Sequence, residues 1–274
     1  MLPGALHFAL SPAMLTARRL RSLLTDRAVR ELAWTQSRLR GVERYQERPV
    51  RIGRHDLLVP DVYSFLYTYE EIFVDEIYRF TSKSNVPSIL DVGANIGLSV
   101  LYFKSLYPAA EITAIEADPR IFAYLQRNLE TNGASDVRLY NVAAWDAADE
   151  LWFHSEGADA GRVSVDAEGL RVPSVNLADM LSGQRFDLIK IDIEGAETRV
   201  VPAIRGLLRT ADFVFVEYHS LHSEPQALDK VIATLADAGF RLRIDAVTRQ
   251  RHPLIATDKP AGFDAQMNIF GRRA

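Results

Sequence analysis

Ile89-Leu90-Asp91-Val92-Gly93-Ala94-Asn95-Ile96-Gly97 is the stretch on which the fold turns. An apolar run enters Asp-x-Gly-x-x-x-Gly and leaves into a helical pattern. That order predicts a buried strand, a tight glycine turn and a helix start whose backbone N–H groups face outward. Such a turn lets a nucleotide-like ligand come close, although glycine loops also serve turns that bind nothing. The flanking segments have to decide.

From Ser88 onward strands and helices alternate, the sign of a parallel sheet covered on both faces. Expected core strands are Ser88–Val92, Glu111–Ile115, Val137–Val142, Phe186–Ile191 and Asp212–Val216, with a β excursion over residues 147–175. The first helix is expected from about Asn95 to Tyr107. Asp118 and Pro119 should start the second, and Ser223 with Pro225 a later one faced by Leu228, Val231, Ile232 and Leu235. Two strands without a helix between them, Phe240–Val247 and Gln266–Phe270, close the chain around turn residues that include Lys259-Pro260. Five alternating units and a terminal hairpin depart from the usual dinucleotide-binding fold. They suit its methyltransferase variant, in which a last antiparallel strand inserts into the sheet.

Upstream, residues 13–45 show a helical pattern carried by Leu20, Leu23, Leu24, Val29, Leu32 and Ala33. Arg51–Val59 is strand-like, and an aromatic-rich helical piece follows from Tyr63 to Phe80. The expected division is an N-terminal helical and lid region, 1–84, and a ligand-binding domain, 85–274. The aromatics are expected in core or lid packing over the cleft, with the arginine-rich helices beside it or between subunits of a homodimer.

Composition narrows the classes. The 274 residues are 48% hydrophobic and 25% charged, enough for a sizeable core, and contain no cysteine, which removes disulfides and thiolate metal sites. Residues 1–54 carry eleven arginines against four acids, or +7, which leaves −11 for the remainder of a chain of net charge −4. The bland reading of the basic segment is a solvated helix face. A phosphorylated carrier, an anionic membrane surface or an acidic partner is the alternative, and the acidic remainder argues against nucleic acid. The apolar first fifteen residues are too short and too broken by Pro3 and Pro12 to span a membrane, so a cytoplasmic location is expected.

Ligands of an open parallel sheet bind beyond the carboxyl ends of its strands, where strand order reverses. Each expected strand end here carries a polar group: Asp91 with the glycine loop, Glu116 and Asp118, Asn141, Asp192 and Glu194, Glu217 and His219. Glu116 is placed to accept from two ribose hydroxyls, and an acid there repels a 2′-phosphate. The loop Asn141, Val142, Ala143 would meet an adenine edge, with Trp145 or Ile121 as packing surfaces. Asp91 and the loop through Gly93, Asn95 and Gly97 would serve the amino acid end of a sulfonium cofactor.

Asp-Val-Gly-Ala-Asn-Ile-Gly at 91–97, Glu-Ala-Asp-Pro at 116–119, Asn-Val-Ala-Ala at 141–144, Ile-Lys-Ile-Asp-Ile-Glu-Gly-Ala-Glu at 189–197 and Glu-Tyr-His at 217–219 together resemble the FkbM-type methyltransferase family. The resemblance spans about residues 88–220. It implies a Rossmann-like α/β class I methyltransferase fold with a mostly parallel seven-stranded sheet. It also implies S-adenosylmethionine as cofactor, S-adenosylhomocysteine as product, and methylation of a hydroxyl on a sugar or secondary metabolite. Cofactor residues are then Asp91, Gly93, Asn95, Gly97, Glu116, Ala117, Asn141, Val142, Ala143 and Asp192.

Two ways of removing the hydroxyl proton fit. Asp192 or His219 acts as general base with Glu194 and Glu217 orienting it, or Asp192 and Glu217 ligate Mg2+. The acceptor is a small molecule, free or carrier-bound. N- or C-methylation of a metabolite and a non-catalytic binding module are the alternatives. An NAD enzyme is disfavoured, since Gly-x-Gly-x-x-Gly spacing and a Tyr-x-x-x-Lys pair are both missing.

Overall fold

The computed structural model describes residues 25–154, 161–163, 169–247, 252, 254–255 and 262–273. Leu20, Leu23, Leu24 and the Lys259-Pro260 turn lie outside them. Helix α1 (Arg27–Arg38) starts where the Asp26 side chain accepts from the N–H groups of Ala28 and Val29, and it buries Leu32. The strand-like piece expected over Arg51–Val59 is instead the second half of a hairpin. Strand β1 (Arg48–Ile52) turns at Gly53 and pairs antiparallel with β2 (His55–Val59). Helix α2 (Val62–Tyr69), capped by Asp61, runs directly into a π-helical turn, Glu70–Val74.

The sheet begins with β3 (Ser88–Val92), followed by α3 (Leu98–Leu106), β4 (Glu111–Ile115), α4 (Pro119–Thr131) and β5 (Arg138–Tyr140). Asp118 caps α4 with Pro119 in its first turn, as its position suggested. The β excursion is a separate four-stranded sheet in the order β6-β9-β7-β8, from β6 (Ala143–Trp145), β7 (Glu150–His154), β8 (Arg162–Val163) and β9 (Leu170–Asn176). Then come α5 (Leu177–Met180), β10 (Leu188–Ile191), α6 (Glu197–Ala203), α7 (Arg205–Leu208), β11 (Phe213–Leu221), α8 (Leu228–Asp237), β12 (Phe240–Ala246) and β13 (Phe263–Arg273).

The seven-stranded sheet has the order β12-β13-β11-β10-β3-β4-β5. Only β13 runs against its neighbours, pairing antiparallel with both β11 and β12. The expected inserted strand is therefore present, and strand order reverses between β3 and β10. Strand β11 is longer than its expected extent, Asp212–Val216. Pairing with β10 ends at Val216, but pairing with β13 continues from Glu217↔Asn268 to Leu221↔Phe263. Glu217 and His219 consequently lie inside a strand rather than in a loop after it, two residues apart and on one face.

Two apolar layers cover the sheet. Leu90, Val92, Ile189, Ile191, Val214, Val216 and Tyr218 face one layer with α6, α7 and α8. On the other side Ile89, Leu188 and Phe215 meet Val100 and Phe103 of α3 together with Phe65, Ile72, Tyr78 and Phe80. The N-terminal aromatics thus share one continuous core with the sheet. Tyr78 stands edge-on to Phe215 at 4.8 Å, and Phe80 packs on Phe103 and Phe213. Asn128 of α4 pins the hairpin, accepting from Leu58 N–H and donating to the Leu58 carbonyl.

Candidate active site

At the point of strand reversal a cleft opens between the loop after β3, the loop after β4 and the segment 192–196. Among its walls are Gly93, Asn95, Glu116, Ala117, Asp118, Ile121, Val142, Ala143, Asp192 and Glu194. Seven of the ten expected cofactor residues reach it. The three others stand behind it. Asn141 donates to the carbonyls of Glu116 and Ala117 and so braces that turn, Gly97 adopts the left-handed N-cap of α3, and Asp91 is fully buried. Of the two expected packing surfaces Ile121 lines the cleft, whereas Trp145 sits under the Arg199 guanidinium.

The glycine turn differs from its expected form. Its N–H groups do not face outward: those of Gly93 and Ala94 donate to the Ile115 carbonyl, Asn95 to Glu116, Ile96 to the Asn95 side chain and Gly97 to the Ala94 carbonyl. Crossing to β4 for its partners leaves the turn no donors for a phosphate. What it offers instead is close approach beside a carboxylate. The Glu116 oxygens accept from Asn95 and Asp118 N–H, at 3.0 and 2.9 Å. Burial pushes Glu116 up to about 7, against the lowering effect of those two bonds.

Beside the cleft a chain of charges runs across β3, β10 and β11. Lys190, on β10 and 3% exposed, is 3.2 Å from the fully buried Asp91 and 3.6 Å from Asp192, and it donates to the Gly93 carbonyl at 2.6 Å. Desolvation works against its charge, but Asp91 and Asp192 outweigh it and hold the ammonium above its ordinary range.

The segment Asp192-Ile193-Glu194-Gly195-Ala196-Glu197 leaves β10 with Glu194 at φ +53, and Glu197 holds it in place. The fully buried Glu197 carboxylate accepts from Ile193 and Gly195 N–H and meets His219 Nδ1 at 3.0 Å. His219 Nε2 then faces Glu194 at 3.5 Å and Glu217 at 3.6 Å. Burial alone would lower His219; Glu197, Glu194 and Glu217 reverse this and hold it well above its ordinary value. Glu217 is held well above the carboxylate range by burial and by Asp192, with His219 opposing.

All four expected catalytic residues, Asp192, Glu194, Glu217 and His219, therefore come together. The residues missed from sequence are Glu197, which orients the imidazole, Lys190, and Glu71, which lies within the Tyr63–Phe80 piece expected as core or lid packing. Glu71 of the π-helical turn is hydrogen-bonded by Tyr67 and lies within electrostatic reach of Asp192; burial first, then Asp192, pushes it up to about 7. Asp192, Glu194 and His219 can bring one ligand atom each within 4.8 Å of one another, so the trio geometrically able to hold a cation includes His219 and not the expected Glu217.

A mostly parallel sheet with an inserted antiparallel seventh strand and a cleft at its reversal point, rimmed by acids, defines a class I methyltransferase fold. Residues 91–242 match the Methyltransferase FkbM domain, and the chain belongs to that family. It is 32% identical over 176 residues to methyltransferase sdnD of Sordaria araneosa, spanning 50% of this chain and 68% of that protein. It is 29% identical over 156 residues to the 2-O-methyltransferase NoeI of Sinorhizobium fredii, spanning 48% and 63%. Among solved structures, the SAM-dependent methyltransferase from Agrobacterium tumefaciens superposes with a TM-score of 0.51 at 11% identity, over 85% of this chain and 72% of that one. No helix among the described residues is long and apolar enough to cross a membrane.

Proposed function

We propose that this chain is an S-adenosylmethionine-dependent methyltransferase that methylates a hydroxyl of a sugar or secondary metabolite. The observation that carries the cofactor is Glu116, a buried carboxylate on a cleft whose glycine turn keeps no N–H for a phosphate. A ribose without phosphates suits that wall, and a dinucleotide does not. The similarity to a protein named a 2-O-methyltransferase, NoeI, supports oxygen as the attacking atom.

In the reaction the acceptor oxygen attacks the methyl carbon, the carbon–sulfur bond breaks toward sulfur, and the hydroxyl proton leaves to a carboxylate. Asp192 is assigned that role, because it lines the cleft and also touches the Lys190 charge chain. His219 is buried against Glu197, which with Glu194 and Glu217 raises its hold on a proton, and it is assigned a positioning role. Its Nε2 faces Glu194 and Glu217 and its Nδ1 faces Glu197, so it orders these side chains beside the cleft.

Calorimetry should show saturable heat with S-adenosylmethionine, weakened at least about tenfold in Glu116→Ala. Tight binding of NAD instead would overturn the cofactor assignment. Asp192→Asn should lower kcat by about 100-fold or more with cofactor affinity nearly kept; undiminished turnover would remove Asp192 from the chemistry.

The Asp192, Glu194 and His219 trio favours one second reading, a divalent cation such as Mg2+ that lowers the pKa of the acceptor hydroxyl. On that reading chelation by EDTA stops turnover and added metal restores it. Turnover indifferent to EDTA excludes it.

A further inference from the structure

The arginine-rich segment has no part in the reaction described so far, yet it builds a second concavity. A basin of about 290 Å3 lies between the last turn of α1, the β1–β2 hairpin and the end of α4. Three guanidinium-bearing residues from three different elements converge on it: Arg38, Arg51 and Arg127. Its apolar floor includes Val50, Leu57 and Leu58. The carboxylate on its wall is Asp56, paired with Arg51 at 3.6 Å, so the lining keeps a net charge of +2.

Arg38 and Arg127 have no ion-pair partner among the described residues. Arg38 is held over the Trp34 ring at 4.3 Å and lies in the last turn of α1, whose carbonyl end favours a cation there. Arg51 has Asp56 beside it, whereas Arg38 and Arg127 are brought to the basin with no carboxylate paired to them among the described residues. An apolar floor strengthens whatever charge they meet.

We propose that this basin binds a phosphate or diphosphate group of a soluble ligand. Arginine suits that group because its planar fork pairs two N–H donors with two phosphate oxygens, and three forks from separate elements fit a group that offers several oxygens. The three arginines mark the anionic head as the part of the ligand that the basin holds. The assignment does not depend on the methyl-transfer reading.

The test uses the full chain and inorganic pyrophosphate as probe. Calorimetry in physiological salt should give saturable binding, weakened at least about tenfold by Arg51→Ala/Arg127→Ala. The control Arg209→Ala/Arg241→Ala removes the same charge from exposed positions elsewhere and should bind as wild type. All four side chains belong to exposed residues, and unchanged thermal melting verifies that both variants fold. Absence of saturable binding, or equal loss in the control, would overturn the proposal. A vesicle arm separates the other source of phosphate. Sedimentation with phosphatidylserine-containing vesicles that depends on Arg51 and Arg127, without pyrophosphate binding, would replace the soluble ligand by a membrane surface and so overturn it too.

Discussion

Gly93→Ala should cost both stability and cofactor binding, and by more than any other single-methyl change in the cleft. At φ +82 an alanine pays the left-handed backbone strain, about 1–2 kcal/mol. The larger part is steric. A Cβ on Gly93 would lie 1.7 Å from the Asp192 carbonyl oxygen and 2.9 Å from its carbonyl carbon, both main-chain atoms that cannot rotate away. Relief requires the turn after β3 and the segment after β10 to separate, which moves Asp192 itself. We expect destabilisation above about 3 kcal/mol in urea unfolding and loss of saturable S-adenosylmethionine binding. Gly183→Ala is the matched control: φ is +77, but the added carbon meets nothing within 4 Å, so only the backbone strain should appear. Equal effects at the two positions would show that the contact with Asp192 is unimportant.

The second large effect is expected at Lys190. Lys190→Met keeps the length of the side chain and removes its charge, stranding Asp91, which is 0% exposed and whose other side-chain partner is the Ser99 hydroxyl. Breaking a buried pair from one side costs about 3–5 kcal/mol, because the remaining charge has neither solvent nor partner. Adding Asp91→Asn to Lys190→Met should recover a substantial part of that loss, since the stranded charge is then gone. A double-mutant cycle by urea denaturation measures the recovery. If Lys190→Met alone falls within about 1 kcal/mol of wild type, the ammonium is not the partner that Asp91 requires.

Much of this site was legible because local chemistry and tertiary position agree there. Strands β3 and β4 occupy their expected residues to the last position, being short apolar runs closed by Pro87 and Pro108 on one side and by glycine or acid on the other. Where a partner far along the chain decides, the reading ran short. Nothing local marks Glu217-Tyr218-His219 as strand, because the neighbour that extends β11 is residues 263–268. The outward N–H groups expected of the glycine turn were taken by Ile115 and Glu116, about twenty residues on. Glu197 was visible as the last acid of its motif, but its bond to His219 crosses 22 residues and one strand. Lys190 did carry a signal, a lone cation inside Leu-Ile-Lys-Ile, since a charge within a fully buried strand needs a buried counter-charge. For Glu71 no sequence signal existed: tertiary packing places the π-helical turn, with Ile72 in the core and Phe73 edge-on to Tyr102.

Strand β13 is made after β12 yet lies between β12 and β11. As the chain leaves the ribosome, β11 emerges with β10 at one flank and an open edge at the other, and β12 emerges with nothing to join. Neither gap closes until the eleven residues Phe263–Arg273 are free to slide between them. The sheet therefore cannot be assembled in order of synthesis. For the interval in which residues up to 246 are out and β13 is still in the exit tunnel, the open flank of β11, nine residues long, is a template for any other extended chain. Expression yield should therefore respond to the rate at which residues 247–273 are translated.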